Sequence, residues 1–238
     1  MRKQIKNAIY KVFERVLSLF SGPKTAIDRQ SWQKDAQSGE FEFHKNNTWR
    51  STDAFTENSA LLFKSFGFNE NDFEHKVLLD VGAGSKLRTK YFKNSIIYAL
   101  EPMADDCIAQ IPWCDLKDAA RLYSTPAEDY IPELENAVDF VLSVNVLDHC
   151  YNFNEIVANL YQYLKPGGLA FLSFDEHFKT NKMHPLILTD EICTQLFQQV
   201  GFQLIKKNTG FGPEILPYTN GPTYGHGLKC LNYWLTKK

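Results

Sequence analysis

The chain has 238 residues, a formal net charge of −2 and an apolar fraction of 44%. This is the composition of an ordinary globular protein, and the near-neutral charge gives no reason to expect a nucleic-acid partner. The five cysteines are odd in number and form no C-x-x-C pair, so we expect free thiols in a reducing cytoplasm rather than disulfides or a zinc site. We recognise no secretory leader and no apolar run long enough to span a bilayer.

Residues 1–20 have the pattern of a basic amphipathic helix. Apolar residues recur every three or four positions, and five Lys or Arg side chains oppose one acid, which gives a side-chain charge of +4. Such a helix can dock on its own domain, which we favour, or make a peripheral contact with the inner face of an anionic membrane. The sequence Ser21-Gly22-Pro23 ends the helix.

The N-terminal third is predicted to be helical. Residues 24–50 mix polar and aromatic side chains and favour irregular structure or short helices. Residues 53–66 have the spacing of an amphipathic helix, which Gly67 ends. No strand is predicted before residue 76. We therefore divide the chain into an N-terminal helical extension or cap, residues 1–70, and a main domain, residues 71–238.

From residue 76 onward, short apolar runs alternate with helical stretches, which is typical of a parallel sheet built from βαβ units. Two strands follow the last helix and predict an antiparallel C-terminal strand. The predicted fold class is α/β, a Rossmann-like doubly wound sheet that is mostly parallel. The predicted strands are 76–80, 96–100, 119–123, 138–143, 168–174, 202–207 and 228–235, and the clearest helices are 153–164 and 189–200, with Thr189 as an N-cap.

The segment VLLDVGAGSKL, residues 77–87, indicates a ligand-binding turn. Asp80 ends the first strand, and Gly82 and Gly84 allow a sharp turn and a close approach of the backbone to a ligand. A dinucleotide fingerprint would need a third glycine where Leu87 stands, and no Gly-Lys-Ser/Thr sequence follows, as a P-loop requires.

Three further stretches fall at the carboxyl ends of predicted strands. Glu101 ends strand two, where a carboxylate can accept hydrogen bonds from both hydroxyls of a ribose. Ala127 and Glu128 follow strand three and could meet an adenine edge. Residues 145–149 follow strand four, beside the crevice in which open α/β sheets bind ligands.

Together these four stretches, in this order and spacing, resemble the class I S-adenosylmethionine-dependent methyltransferases. LKPGG, residues 164–168, adds a fifth match that is common in the small-molecule branch called type 11. The resemblance covers roughly residues 76–236. It implies S-adenosylmethionine as the cofactor and a methyl transfer as the reaction. The third small residue of the first motif falls at Ser85 and is followed by Lys86, which is a departure from the usual motif.

The resemblance also implies which residues contact the cofactor. The methionine part would lie against the first-strand turn, the ribose against Glu101 and the adenine between strands two and three. The sulfonium would lie near the turn after strand four. The residues carried over are Asp80, Gly82, Ala83, Gly84, Glu101, Pro102, Met103, Ala127, Glu128, Asn145 and Leu147.

A neutral hydroxyl acceptor must lose its proton, and a His or a carboxylate is the usual base. His149 is the first candidate because it follows strand four, near the expected methyl position. Asp175 and His177 at the end of strand five are the others. Each histidine, including His184 further on, also fits a purely structural role.

Asp175, Glu176 and His177 could instead ligate Mg²⁺ that binds a sugar diol. Adjacent side chains of a strand point to opposite faces, which argues against all three sharing one ion. No metal site is therefore predicted.

The acceptor pocket is expected to be closed by the N-terminal segment and by the loop 210–227. Their aromatic and polar side chains suit stacking on sugars or flat rings. We favour a small-molecule or glycan hydroxyl, such as that of a surface-polysaccharide precursor. Two alternatives stay open: a non-catalytic module that binds S-adenosylmethionine, and an NAD-dependent oxidoreductase. The cap residues considered are Trp32, His44, Trp49, Arg50, Tyr218, Tyr224 and His226.

Overall fold

The structure is a computed structural model, and it describes residues 24–211 and 229–238. The predicted helix over residues 1–20 and its membrane contact lie outside the described residues. So do Tyr218, Tyr224 and His226, and with them most of the predicted closing loop. Among the described residues, no helix is long and apolar enough to cross a membrane.

Seven strands of the described chain form one sheet in the order β3-β2-β1-β4-β5-β7-β6. Strand β7 lies between β5 and β6 and is antiparallel to both, while the pairs among β1 to β5 are parallel. The predicted fold class is therefore confirmed, including the antiparallel C-terminal strand. The strands are β1 Val77–Val81, β2 Ile96–Leu100, β3 Arg121–Tyr123, β4 Val138–Val144, β5 Leu164–Asp175, β6 Phe202–Phe211 and β7 Lys229–Lys237.

Alternating side chains of the central strands pack into two separate apolar layers, as the period of a strand requires. Leu79 and Val141 belong to the layer that includes residues of the helices Phe153–Tyr163 (α5) and Asp190–Val200 (α6). Leu78 and Phe140 belong to an aromatic layer on the other face. The central sheet is thus buried on both faces, which explains why its strands read as continuous apolar runs.

The two C-terminal helices begin and end where their sequences direct. Asn152 caps α5 through its side chain, and Thr189 caps α6 by accepting a hydrogen bond from the Ile192 N–H at 3.3 Å. Gly201 ends α6 with φ of 110°, a left-handed conformation that favours glycine. The predicted helices are confirmed to within one residue.

The LKPGG segment differs from its prediction. It was expected to separate a helix from a strand, but β5 already begins at Leu164. The register with β4 shifts between Val138 and Phe140, so the segment forms a bulge, and Gly167 has φ of 77°. A bulge keeps strand pairing on both sides of an extra stretch of chain.

The described N-terminal residues are helical, as predicted. Helices Arg29–Trp32 (α1) and Ser38–Asn46 (α2) are joined by the π-helical turn Gln33–Gln37, and Asp53–Ser65 (α3) follows. A short helix between β2 and β3, Ala104–Gln110 (α4), completes the set. The domain boundary predicted at residue 70 falls between α3 and β1 and stays a prediction.

Helix α3 and its C-cap residue Phe66 supply Leu62, Phe63 and Phe66 to the aromatic layer on the sheet. The Phe63 ring lies 5.1 Å from that of Tyr91 and 4.9 Å from that of Phe92, and Phe63 is fully buried. This helix therefore covers one face of the sheet. All five cysteines lie in the described chain and are free, as predicted.

Phe63→Ala is expected to lower the free energy of unfolding by about 3–5 kcal/mol, because it removes a buried ring and leaves a cavity in the aromatic layer. Leu61→Ala on the same helix is the matched control. Leu61 is 41% exposed, and its loss should cost within about 0.5 kcal/mol. Urea unfolding measures both values. Equal losses would contradict the role given to α3.

Candidate active site

A cleft opens at the carboxyl ends of β1, β2 and β4. It contains roughly 1000 Å³ of space free of protein atoms, including solvent at its mouth. This is the crevice in which open α/β sheets bind ligands. Its walls come from the ends of the strands and from the N-terminal helices. The cleft brings together ten of the eleven predicted cofactor-binding residues: Asp80, Gly82, Ala83, Glu101, Pro102, Met103, Ala127, Glu128, Asn145 and Leu147.

The eleventh, Gly84, is buried in the turn itself. Gly82 and Gly84 have φ of 70° and 62°, so both need the left-handed conformation that glycine adopts without strain. A Cβ at Gly82 would collide with the side chain of Val146, and one at Gly84 with the ring of His44. The two glycines therefore have two roles: they allow the chain to turn, and they leave room for the side chains of Val146 and His44.

Glu101 ties this turn to the end of β2. Its carboxylate accepts hydrogen bonds from the N–H of Gly84 at 2.8 Å and of Met103 at 3.0 Å, one on each oxygen. Each oxygen can accept a further bond. Glu101 is 3% exposed, and burial raises its pKa to about 7 despite those two bonds. The predicted ribose-binding acid is thus also the anchor of the loop.

Asp80 faces inward at the end of β1. It accepts hydrogen bonds at Oδ2 from the hydroxyl of Thr89 at 2.7 Å and from its N–H at 3.4 Å. Burial raises the pKa of Asp80 to about 6. Its visible partner is therefore the 3₁₀ turn Arg88–Tyr91, and its predicted contact with the cofactor stays a prediction.

Glu128 is a third buried acid. Its Oε1 accepts hydrogen bonds from the N–H of Tyr151 at 2.8 Å and of Asn152 at 3.0 Å, and burial raises its pKa to about 7. Asn159 of α5 donates to the carbonyl of Ala127 at 3.0 Å. These contacts join the turn after β3 to the segment after β4. The adenine contact predicted for Ala127 and Glu128 stays a prediction.

The segment after β4 turns sharply at Asn145, which has φ of 58° and donates its N–H to the Ser173 carbonyl at 2.7 Å. Leu147 is fully buried and begins the 3₁₀ turn Leu147–His149. This turn carries Asp148 and His149. It places the first predicted base at the wall of the cleft.

His149 faces the cleft between two acids. Its Nδ1 lies 3.1 Å from Oε1 of Glu40, and its Nε2 lies 3.8 Å from Oδ2 of Asp148. Burial lowers the pKa of His149, but these two negative charges outweigh it and leave the pKa above its ordinary value. The indole of Trp32 donates to the His149 carbonyl at 2.7 Å.

Behind His149 lies a buried cluster of ionisable side chains. Oδ2 of Asp148 is 3.1 Å from Nε2 of His177 and 3.6 Å from Nε2 of His184. Burial raises the pKa of Asp148, but the neighbouring imidazoles hold it well below its ordinary range. Burial lowers the pKa of His184 to about 4.

Asp175 ends β5 next to this cluster. Burial, and then the charge of Asp148, raises its pKa to about 6. Neither Asp175 nor His177 lines the cleft. Glu176 points elsewhere and accepts a hydrogen bond from the N–H of Asp190 at 3.1 Å, at the start of α6. The three catalytic candidates thus lie close together, but His149 is the one that faces the cleft.

Several residues of the site were missed by sequence reasoning. Glu40, Phe43 and Arg88 line the cleft, and Asp148 is buried behind His149. Asp148 was signalled only by its place beside His149. Glu40 had no local signal, since its role depends on how α2 lies across the sheet. Trp32, His44 and Arg50 line the cleft as predicted, whereas Trp49 packs on Phe55 with ring centroids 5.4 Å apart.

These residues fit S-adenosylmethionine. The buried Glu101 carboxylate has acceptor capacity left at the cleft wall, two left-handed glycines bend the adjoining turn, and apolar Met103 lies beside them. A family model described as a methyltransferase domain matches residues 79–172. The chain has the fold of the class I methyltransferases. S-adenosylmethionine is the cofactor of this domain family.

Relatives and solved structures agree with this assignment. A ubiquinone biosynthesis O-methyltransferase of Rickettsia typhi is 27% identical over 173 residues, which are 70% of this chain and 64% of that protein. The chain therefore spans less than two thirds of that relative's length. A methyltransferase domain of like fold occurs in the 1,6-didemethyltoxoflavin N1-methyltransferase of Burkholderia thailandensis, with a TM-score of 0.51, 19% identity and 81% of each chain covered. It also occurs in an Aquifex aeolicus methyltransferase, with a TM-score of 0.55, 16% identity and 84% and 98% covered.

Glu101→Gln is expected to flatten the pH dependence of stability in the methyltransferase domain without cofactor. The pKa of Glu101 rises from 4.5 to about 7 on folding, so the folded state holds its proton more tightly. The resulting stabilisation is present below about pH 4.5 and is lost as pH rises through 7, by roughly 3 kcal/mol. Urea unfolding of both proteins between pH 5 and 8 measures the difference.

The change Glu133→Gln is the control for this experiment. Glu133 is a solvent-exposed acid that pairs with Arg121 at 3.3 Å. Its replacement should shift the unfolding curves equally at every pH. Asp80 and Glu128 titrate in the same direction but are common to all three proteins. A constant difference between the wild type and Glu101→Gln would contradict the assignment.

Proposed function

We propose that the protein is an S-adenosylmethionine-dependent methyltransferase that methylates a hydroxyl oxygen of a small molecule or glycan. The observation that carries this proposal is a shared cleft. One wall has the buried Glu101 carboxylate bonded to the glycine turn, and another has an imidazole, that of His149, between two acids. A cofactor-binding acid and a base facing one space are what methylation of a hydroxyl requires.

S-adenosylmethionine supplies a methyl group already activated by its sulfonium. The chain has to bind and align the reactants and remove one proton. Glu101 would accept the ribose hydroxyls, and the turn at 80–84 would hold the methionine part. Pro102, Met103, Ala127 and Glu128 would surround the adenine, with Asn145 and Leu147 near the reacting centre.

His149 would take the proton of the acceptor hydroxyl at an imidazole nitrogen. Asp148 and Glu40 lie on opposite sides of its ring and would stabilise the imidazolium that forms. Trp32 bonds the carbonyl of the same residue and fixes its backbone. Asp175 and His177 lie behind His149, so their effect on the reaction would pass through it.

The N-terminal helices would define the acceptor side of the cleft. Trp32, Phe43, His44 and Arg50 line it there and offer aromatic faces and polar groups. Such a surface suits a saccharide, which stacks on aromatic rings and hydrogen-bonds through its hydroxyls. The name of the Rickettsia relatives favours an oxygen acceptor as well, and places it on a ubiquinone precursor in those proteins. Saccharides and hydroxylated aromatic rings are therefore the two acceptor classes to compare.

Glu101→Ala is expected to weaken binding of S-adenosylhomocysteine at least tenfold, because hydrogen bonds to a carboxylate contribute about 1.5–3 kcal/mol each. Calorimetric titration of purified protein measures the dissociation constant. Glu57→Ala removes an exposed acid on α3 and should bind like the wild type. Because Glu101 also anchors the glycine turn, circular dichroism must first show that the variant is folded.

The same titration includes NAD. Binding of S-adenosylmethionine and S-adenosylhomocysteine without NAD binding supports the proposal. Binding of NAD alone would favour an oxidoreductase. Unchanged affinity in Glu101→Ala would remove Glu101 from the ribose site. Tight cofactor binding without turnover on either acceptor class would favour the non-catalytic module.

His149→Gln is expected to lower turnover about 100-fold or more with little change in cofactor affinity, because a positioned base contributes about 10²–10⁴ in rate. Methyl transfer from labelled S-adenosylmethionine to saccharide and catechol panels identifies an acceptor and then measures the rate. His75→Asn is the matched control, since Asn tolerates the φ of 59° at that position. Full activity in His149→Gln would exclude it as the base.

A further inference from the structure

The cluster behind His149 has the geometry of a metal site. One oxygen of Asp148, Nε2 of His177 and Nε2 of His184 supply three ligand atoms, all within 4.8 Å of one another. Ligands held about 2.0–2.2 Å from one zinc ion are separated by roughly 3–3.5 Å. Of the distances from Asp148 Oδ2 to the two imidazole nitrogens, 3.1 Å falls within this spacing and 3.6 Å lies just above it.

Asp148 is a carboxylate whose hydrogen-bonding capacity is only partly used. Its side chain is fully buried, and its Oδ1 has no hydrogen-bond partner among the described residues. A buried carboxylate oxygen without a partner costs free energy unless a donor, a water or a cation satisfies it. Its Oδ2 meanwhile faces three imidazoles, with Nε2 of His149 the furthest at 3.8 Å.

The three ligands come from separate parts of the chain that the fold holds in place. Asp148 lies on the 3₁₀ turn after β4, and His177 forms a backbone bridge with Leu188 through two hydrogen bonds of 2.8 and 3.0 Å. His184 lies in the segment between β5 and α6, where Oδ1 of Asn181 accepts the N–H of His184 at 2.8 Å. The imidazoles of His177 and His184 stack with centroids 4.3 Å apart.

We propose that Asp148, His177 and His184 bind a divalent transition-metal ion of borderline softness, such as Zn²⁺ or Fe²⁺. Two imidazoles and one carboxylate suit these ions, whereas Mg²⁺ and Ca²⁺ prefer sites made of oxygen ligands. The carboxylate of Asp175 lies beside the cluster and would offset part of the charge of the cation. The site shares only His177 with the set of adjacent residues 175–177 considered from the sequence.

This site goes beyond the proposed methyl transfer and does not depend on it. The cation would lie on the side of His149 away from Glu40, so it would fix the turn that carries the base. His184 has 22% of its side chain exposed and is not among the residues that line the cleft. Metal content and cofactor binding are consequently separate measurements.

The competing explanation is a hydrogen-bonded network without metal. Nδ2 of Asn181 lies 3.3 Å from Nδ1 of His184, and His184 would then present an Nε2–H to Asp148. Metal binding at Nε2 would require the other tautomer, with the proton on Nδ1, and would therefore break the contact with Nδ2 of Asn181. The two explanations thus differ in the tautomer of His184 as well as in metal content.

The decisive experiment uses tag-free full-length protein, stripped with a chelator. Zn²⁺, Fe²⁺ under nitrogen, Mn²⁺ and Mg²⁺ are each titrated by calorimetry. The expected result is one Zn²⁺ or Fe²⁺ per chain, bound at least tenfold more tightly than Mg²⁺. Co²⁺ should give a visible absorption spectrum of imidazole coordination.

Two variants and a control test the assignment. His184→Gln changes the most exposed ligand and is expected to weaken binding more than tenfold in a folded protein, and Asp148→Asn should abolish it. Since Asp148 is buried, thermal unfolding without metal first establishes that its variant folds. His75→Asn removes an exposed imidazole elsewhere and should bind like the wild type.

Absence of Zn²⁺ and Fe²⁺ binding by the stripped wild type would overturn the proposal and leave the hydrogen-bonded network. Binding that is equal in the wild type and in folded His184→Gln and Asp148→Asn would overturn it too, because the ion would then lie elsewhere. Failure of methyl transfer with metal binding intact would contradict only the proposed function.

Discussion

The architecture of the cleft depends on one buried carboxylate. Glu101 accepts a hydrogen bond from the glycine turn after β1 and another from the start of the segment after β2, so it joins two neighbouring parallel strands where they end. The cost of burying this acid appears as a raised pKa. Glu128 acts in the same way in the turn after β3, where it accepts hydrogen bonds from the backbone N–H groups of residues 151 and 152. Buried acids with backbone partners thus shape the whole edge of the sheet.

Much of this organisation could be predicted from the sequence because it is local. Strand β2 matched its predicted residues, α6 began at its predicted Thr189 cap, and the order of Asp80, the glycines and Glu101 placed them at one edge. Strand patterns and caps act over a few residues, and parallel strands bring their ends together wherever the chain crosses over. The bulge at 164–168 was not predicted, because Pro and Gly usually end a helix or a strand, whereas here strand pairing continues past them.

Long-range contacts could not be predicted. Three contacts join parts of the chain that are far apart in sequence. Glu40 pairs with His149, and the ring of His44 leaves no room for a side chain at position 84. His177 and His184 both lie beside Asp148. No periodicity encodes such contacts. From the sequence alone His184 fits a structural role and nothing marks Asp148 beyond its place next to His149, because the importance of each depends on the others.

Helices α1 and α2 contribute no buried residue to the two apolar layers of the sheet. Trp32 and Ala36 pack instead with Tyr151 in a small apolar cluster of their own. Helix α2 nevertheless contacts the glycine turn, because the ring of His44 lies against Gly84. A substitution at Trp32 can therefore reshape its wall of the cleft without repacking β1 or β2, whereas a substitution at His44 would alter both walls at once.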